Sequence, residues 1–218
     1  MRRVSGGRSA SAAAQSDREG GRVEPLRECA ALTFAQGEIR PVRSLPAAVL
    51  LAVEEGFIVV RRTASSARRS VIVDEAAAGE VLLPPTADEE LVGLIPSCVR
   101  VISSAALEQL LSGTDGTHVI WDALTSALRR REDLIASLSN TRHIERVRAK
   151  LLQLARDYGR VDARGVRIDL PLTHELLAEM VCSARETVTR AVDELEREGF
   201  VIREAGGYRI AVEARLLV

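Results

Sequence analysis

Two arginines and a glutamate near the C-terminal end have the residue types and the spacing to read nucleic-acid bases. A helix is predicted from about Ala184 to Glu198, and Arg185, Glu186 and Arg190 lie on the side opposite its apolar residues. Laid in a major groove, such a face lets arginine donate two hydrogen bonds to guanine O6 and N7, and glutamate accept one from cytosine N4. The same pattern is also typical of an ordinary solvated helix face. The elements around the three residues must decide between these interpretations.

The segment around these residues has the start, turn and stop signals of two short helices. Thr173 follows Pro171 by two positions and is a good N-cap, and Glu175 lies near the positive end of the first helix. Residues 182–184 form the predicted turn, and Gly199 ends the second helix. The residues expected on the buried sides are Leu176, Leu177, Met180 and Val181 in the first helix, and Val188, Ala191, Val192 and Leu195 in the second. The alternating runs FVIRE and YRIAV around a glycine turn then predict a hairpin, which completes a winged helix-turn-helix.

A long helix with one narrow apolar stripe is predicted before this segment. Its helical period extends from about Thr117 to Ser139, and a further helix is predicted from about Arg142 to Tyr158, with a hinge at Asn140. The stripe consists of Trp121, Leu124, Leu128, Ile135 and Leu138, with Arg131 intruding into it. The stripe either packs on the protein's own β domain or joins two subunits in a two-stranded coiled coil. The narrow seam, with RRRED on the other faces, favours the coiled coil.

Short runs rich in Val, Ile and Leu between Ala30 and about Ile102 predict a small β domain. Turn residues separate the runs at close to the spacing of a sandwich or barrel, about 8 to 12 residues. This half contains no histidine, whereas a metal-dependent enzyme of the cupin type needs several histidine or carboxylate ligands that converge inside a barrel. We therefore expect no catalytic residue, no metal site and no cofactor, and hence no enzyme.

Length and composition favour two domains and give no sign of a membrane span. The chain has 218 residues, 46% of them hydrophobic, and a formal net charge of -1, so any affinity for DNA must come from a local basic surface. Cys29, Cys98 and Cys182 are widely spaced and lack a CxxC motif and a histidine cluster, which argues against a disulfide framework or a zinc site. We expect a cytoplasmic protein. Residues 1–27 are predicted to be a disordered tail because of their Ser, Ala, Gly and Arg content.

The helix-turn-helix segment resembles the Crp/Fnr family of bacterial transcription regulators. The resemblance extends over about residues 142–210, and the motif RETVxRxxxxLExxG is quite specific to that family. By position, Arg185, Glu186 and Arg190 fall on the family's base-reading residues. The residues that correspond to contacts with the DNA backbone, or that support them, are Thr173, His174, Ser183, Thr187 and Thr189.

The resemblance implies an α+β fold and a homodimeric DNA-binding regulator that reads a palindromic site. The expected parts are a small β-barrel or jelly-roll-like domain over 28–112, a long dimerisation helix over 113–140 and a winged helix-turn-helix domain over 141–218. The apolar stripe and Arg131 then form the dimer interface. Double-stranded DNA, a second copy of the chain and RNA polymerase are the implied partners.

The sequence departs from the cyclic-nucleotide-binding relatives in the β domain. Their cassette places a Gly-Glu pair on the ribose and a later arginine on the cyclic phosphate. Here Gly79-Glu80 better matches the family's strand-leading pair, and the segment that follows is too short for the cassette. No arginine lies between Arg69 and Arg100, and ADEELVG is acidic where a phosphate would lie. We therefore expect no response to cyclic AMP.

Three further departures concern single positions. Leu134 and Ile135 replace the polar pair of the long helix that contacts the nucleotide, and Cys182 stands where the family often has a turn glycine. The clustered N-terminal cysteines that hold an iron-sulfur cluster in other relatives are reduced to Cys29, whereas such a cluster needs about four thiolates. Two alternatives stay open: a ligand-binding or scaffold protein whose winged domain contacts another protein, and a regulator switched by an unidentified effector.

Overall fold

The N-terminal half of the chain forms two antiparallel β-sheets that pack face to face. The computed structural model describes residues 26, 28–64, 69–139, 142–204 and 206–211. The strands of this half are β1 (Ala30–Phe34), β2 (Ile39–Pro41), β3 (Leu50–Glu55), β4 (Phe57–Ala64), β5 (Arg69–Ala77), β6 (Val81–Leu82), β7 (Glu89–Gly93) and β8 (Ser97–Ile102). One sheet has the order β1-β8-β3-β6 and the other β2-β7-β4-β5.

The two sheets form an open sandwich, which corrects the expectation of a barrel and leaves the jelly-roll-like arrangement. No ladder between described strands joins one sheet to the other. The edge strands β2 and β6 have only three and two residues, too few to continue a ladder around a corner. Alternating apolar residues instead close the interior between the sheets, including Phe34, Leu51, Val53, Ile58, Val60, Leu91 and Val99.

Three helices follow the sandwich: α1 (Ser104–Leu111), α2 (Thr114–Leu138) and α3 (His143–Tyr158). The long helix α2 begins three residues before the predicted Thr117, because the Thr117 amide already donates to the Gly113 carbonyl at 3.1 Å and closes a turn. Leu110 of α1 and Ile120 of α2 pack together with Leu50 and Ile102, which ties the start of α2 to the sandwich. The predicted hinge at Asn140 and the predicted tail, except residue 26, lie outside the described residues.

The C-terminal part contains the predicted helix-turn-helix and hairpin. Its elements are β9 (Gly159–Asp162), β10 (Gly165–Ile168), α4 (His174–Met180), α5 (Arg185–Arg197), β11 (Val201–Glu204) and β12 (Gly207–Ile210). All eight residues expected on the buried sides of α4 and α5 are buried. The predicted hairpin is the pair β11 and β12, and the predicted α+β fold class is confirmed.

A second hairpin, β9 and β10, extends the wing into a four-stranded sheet with the order β11-β12-β10-β9. The sequence patterns did not predict this hairpin, since each of its strands has only four residues. Gly165 at its turn has a φ of 128°, and a Cβ there would lie 2.2 Å from the Ile210 carbonyl oxygen. The turn therefore requires glycine at this position. Gly165 is the one signal in the sequence that marks the hairpin.

Candidate nucleic-acid interface

Helix α5 separates an apolar side from a charged side. Val188 and Val192 are among the fully buried residues, whereas Arg185, Glu186 and Arg190 are exposed. Glu186 lies in the first turn and Arg197 in the last, and both charges are favourable to the helix dipole. Packing of the apolar side thus fixes which residues point outward, and the three predicted base-reading residues share the open face.

A hydrogen-bonded chain connects α4 to α5 beside that face. His174 Nδ1 lies 2.9 Å from Thr189 Oγ1, and the Thr189 hydroxyl donates to the Arg185 carbonyl at 3.0 Å. Thr173 caps α4, since its Oγ1 accepts from the Leu176 amide at 3.1 Å. Burial, and secondarily the charge of Arg203, lowers the pKa of His174, so the neutral ring is favoured. These predicted supporting residues therefore hold the two helices at a fixed angle.

The turn between the helices contains a residue in the left-handed region. Cys182 has a φ of 48°, the value that explains why glycine often occupies this place in the resembling family. The Ser183 amide donates to the Ala178 carbonyl at 2.9 Å, and the Ser183 hydroxyl lies 2.8 Å from Nδ1 of His143 in α3. Ser183 is therefore a link between the turn and α3.

The exposed face of α5 keeps its charged groups available to a ligand. Arg185 Nε lies 3.9 Å from a Glu175 carboxylate oxygen, and both side chains are about two-thirds exposed, so the pair is weak. Arg190 makes no hydrogen bond or ion pair with any described residue, and Thr187 is partly exposed beside it. The guanidinium groups retain donors for a bidentate acceptor such as the guanine edge.

The wing sheet has its own charge network. Arg203 of β11 pairs with Asp193 of α5 and lies 3.4 Å from Glu196. Arg209 is almost fully buried, and its guanidinium donates to Asp162 at 2.6 Å and to Glu204 at 2.7 Å. These pairs fix the wing against α5 and join the two hairpins.

The predicted dimer residues form a stripe along α2 that one chain leaves largely uncovered. Trp121 is 70% exposed, Leu128 57% and Ile135 70%, and they recur every seventh residue. Leu124 and Leu138 are partly buried. Arg131, which interrupts the stripe, donates through Nε to Asp74 of β5 at 2.8 Å. Leu124 packs against the cluster that ties α2 to the sandwich, whereas Trp121, Leu128 and Ile135 remain largely exposed in the single chain.

The segment that is expected to be too short for a nucleotide cassette lies between β6 and β7. Strand β6 ends at Leu82 and β7 begins at Glu89, and the described residues between them form no helix. The Glu89 carboxylate accepts from the Thr86 amide at 2.6 Å and is paired with Arg62 of β4. Leu134 is partly buried, whereas Ile135 is exposed on the stripe to which the sequence pattern assigned it, so only Leu134 of this pair faces the interior of its own chain. Consecutive residues of a helix point about 100° apart, which prevents both from facing the sandwich.

A cavity of about 440 Å³ lies outside the sandwich, between β5, α2 and α3. Ile72, Leu134 and Met180 give it apolar walls, and Glu75 and Lys150 give it charged ones. No group of described residues has three or more His, Cys, Asp or Glu side chains placed to hold a metal ion. None of the described helices is long and apolar enough to cross a membrane.

The sequence matches a family model over the C-terminal part. Residues 145–217 match the Crp-like helix-turn-helix domain. The chain is 37% identical over 103 residues to the global nitrogen regulator of Synechocystis sp., a match that covers 45% of each protein. It is 33% identical over 93 residues, 43% of this chain and 42% of the relative, to the CRP-like cAMP-activated global transcriptional regulator of Mycobacterium tuberculosis. The chain thus spans less than half the length of these curated relatives.

The fold is similar to that of solved regulators over most of the chain. A transcriptional regulator of the CRP family from Thermus thermophilus superposes with a TM-score of 0.70 at 21% identity, over 85% of this chain and 94% of the other. At that identity the likeness concerns the fold. Together with the domain match, it confirms the resemblance to the Crp/Fnr family.

Proposed function

From the premise that the chain has a Crp-like helix-turn-helix domain on a CRP-family fold, we propose that it is a homodimeric DNA-binding transcription regulator. In this proposal α5 enters the major groove, and Arg185, Glu186 and Arg190 read a palindromic site. Thr173, His174, Ser183, Thr187 and Thr189 position the two helices or contact the DNA backbone. The observation that carries the proposal is the exposure of all three charged residues on one face of α5, while its other face is buried.

Dimerisation through α2 is the second part of the proposal. Support comes from the exposed stripe Trp121, Leu128 and Ile135, which the described part of the chain leaves largely uncovered. A heptad-spaced apolar seam of this kind is stable in water when a second helix covers it. A palindromic DNA site then follows, because two-fold symmetry of the protein is mirrored in the two half-sites.

Independence from cyclic nucleotides is the third part. Support comes from the short described segment without a helix between β6 and β7, the apolar interior of the sandwich and the pairing of Glu89 with Arg62. A cyclic phosphate would find no free arginine among the described residues of this region. Isothermal titration with cyclic AMP and cyclic GMP is expected to show no binding at millimolar concentration. Binding that raised DNA affinity tenfold, about 1.4 kcal/mol of coupling, would contradict this part.

A titration of DNA with a salt series tests the proposal. Fluorescently labelled genomic fragments are titrated with the purified protein at several salt concentrations. We expect a subset of fragments to bind, with an affinity that falls steeply as salt rises, because neutralised phosphates release counterions. Binding that does not depend on salt, or no binding to any fragment, would favour the alternative in which the winged part contacts another protein.

A regulator switched by a small effector is a second candidate function, and the cavity between β5, α2 and α3 is the observation that favours it. An occupant of that cavity would touch the sandwich, the long helix and the C-terminal part at once. Filling the cavity with Ala149→Phe should then change the response of DNA binding to a cell extract depleted of macromolecules. An unchanged response in this variant would exclude the cavity as the effector site.

A further inference from the structure

Lys150 is the only lysine in the sequence, and it is buried. Its Nζ donates to both carboxylate oxygens of Glu75 at 2.7 Å and to Gln153 Oε1 at 2.9 Å. Gln153 Nε2 in turn donates to Glu75 at 3.0 Å. All three donors of the ammonium group are therefore used, in a chain that otherwise relies on arginine for its positive charges.

The Lys150–Glu75 pair joins the two halves of the molecule. Glu75 belongs to β5 of the sandwich, and Lys150 belongs to α3, which packs on α5. The neighbouring residue, Asp74, is paired with Arg131 of α2 at 2.8 Å. Asp74 and Glu75, consecutive residues of β5, thus bind the long helix α2 and the helix α3, respectively.

Adjacent contacts connect α2 and α3 to β5, to Glu80 and to the start of β6. Arg130 of α2 donates to the Glu75 carbonyl at 3.0 Å and to the Val81 carbonyl at 2.6 Å. The carboxylate of Glu80 lies 3.4 Å from Arg130 and accepts from the Tyr158 hydroxyl of α3 at 3.1 Å. We call the four residues Glu75, Glu80, Arg130 and Lys150 the β5 clamp.

An apolar seam surrounds the clamp. Phe57, Val59 and Ile72, on the outer face of the second sheet, belong to one continuous core with residues of α3, α4 and α5. The rings of Phe57 and Tyr158 meet edge to face at 4.7 Å. Apolar contacts tolerate sliding, whereas a buried ion pair is favourable only when its geometry is satisfied. The clamp therefore favours the one docking of the C-terminal part in which its ion pair and hydrogen bonds are all satisfied.

We propose that Glu75 and Lys150 are positioning residues that set the distance between the two α5 helices of a dimer, and hence the preferred spacing of the two half-sites, without a ligand. The inference rests on the proposed function. The two residues lie away from the exposed face of α5, so they act on the separation of the half-sites and not on the identity of the bases. The internal contacts of the clamp fix this distance, so no bound effector is needed to set it.

The spacing of a palindromic operator is the direct readout. Affinities are measured for a selected operator with half-site centres about one helical turn apart, and for versions lengthened or shortened by one and two base pairs. The wild type is expected to bind the preferred spacing at least tenfold more tightly than the others. In Glu75→Gln combined with Lys150→Met this preference is expected to fall below threefold, while affinity for a single half-site and selectivity among bases stay unchanged.

Three comparisons separate positioning from a general effect on folding. The double variant removes both charges at once, a change that is often neutral for stability because neither charge is left unpaired. The exchanged pair, Glu75→Lys with Lys150→Glu, should restore part of the spacing preference. Arg156→Gln removes an exposed ion pair within α3 and should leave the spacing preference unchanged. An unchanged spacing preference in the double variant would overturn the inference.

Chemical labelling tests the clamp without DNA. An amine-specific acetylating reagent can modify only Lys150 and the α-amino group, and mass spectrometry distinguishes the two. We expect Lys150 in the native wild type to react at least tenfold more slowly than in the denatured protein, and Glu75→Gln to abolish most of this protection. Rapid labelling of Lys150 in the native wild type would overturn the inference even if the double variant failed to fold. Absence of all DNA binding with a protected Lys150 would refute the proposed function and not the clamp.

Discussion

Replacing two residues of the α2 stripe by aspartate should convert the protein to monomers. Leu128 and Ile135 are 57% and 70% exposed in the single chain, so a partner helix can bury most of each side chain. Full burial of a leucine or isoleucine is worth roughly 1.5 to 3 kcal/mol, and the exposed part therefore roughly 1 to 2 kcal/mol. Two residues on two chains together give roughly 4 to 8 kcal/mol of dimer stability.

The double variant Leu128→Asp with Ile135→Asp should lose at least roughly 4 kcal/mol of dimer stability, because carboxylates buried in the interface add a desolvation penalty. A change of about 4 kcal/mol raises the dimer dissociation constant about a thousandfold. Analytical ultracentrifugation over a concentration series measures it directly. We expect monomers that keep the fold of the wild type by circular dichroism and lose affinity for a full palindrome.

A matched control lies on the same helix. Val119 is 43% exposed but stands outside the stripe, so Val119→Asp should leave the dimer intact. If the double variant sedimented as a dimer with the same dissociation constant as the wild type, the stripe would not be the interface and the reasoning from exposure would be refuted.

Three further predictions concern the helix-turn-helix. Burial lowers the pKa of His174, so the unfolded state binds the proton first, and the free energy of unfolding should fall as the pH drops below the ordinary histidine value of 6.5. His174→Gln should weaken this pH dependence in denaturant titrations. A pH dependence as steep as that of the wild type would contradict the assignment to His174. Cys182→Gly should stabilise the protein by roughly 1 kcal/mol, because it relieves a left-handed residue with a φ of 48°, and a lower melting temperature would contradict this. Leu195→Ala should destabilise the fold by about 2 to 5 kcal/mol in the same titrations, since Leu195 is fully buried, and a loss below about 1 kcal/mol would show that the core of α5 is loosely packed.

The helix-turn-helix could be predicted from the sequence because its signals are local. A capping threonine, two apolar faces with helical period and a stop glycine all lie within about ten residues of the side chains that they position. The short strands β1 and β2 and the hairpin of β9 and β10 were missed for the opposite reason. They have three to five residues each, and their pairing partners are distant or lie across a turn whose only mark is Gly165.

The β5 clamp could not be predicted, since it depends on how separate elements dock. Glu75 and Lys150 are 75 positions apart, and each on its own is an ordinary charged residue of a strand or helix. The different exposure of Leu134 and Ile135 has a related cause. A residue one position away from Leu134 points in a different direction, and only the packing of α2 on the sandwich decides which of the two faces inward.

The most direct test of base reading is a double comparison of protein and DNA. Operator sequences selected from a random pool are bound by the wild type and by Arg185→Ala, each with the half-site guanine intact and replaced by adenine. We expect the wild type to lose about 1 to 3 kcal/mol on the replaced operator and Arg185→Ala to bind both operators equally, with the intact one weakened by about the same amount. If Arg185→Ala lost affinity to the same extent for every DNA and kept the preference for guanine, the account of α5 as the base-reading element through Arg185 would be contradicted.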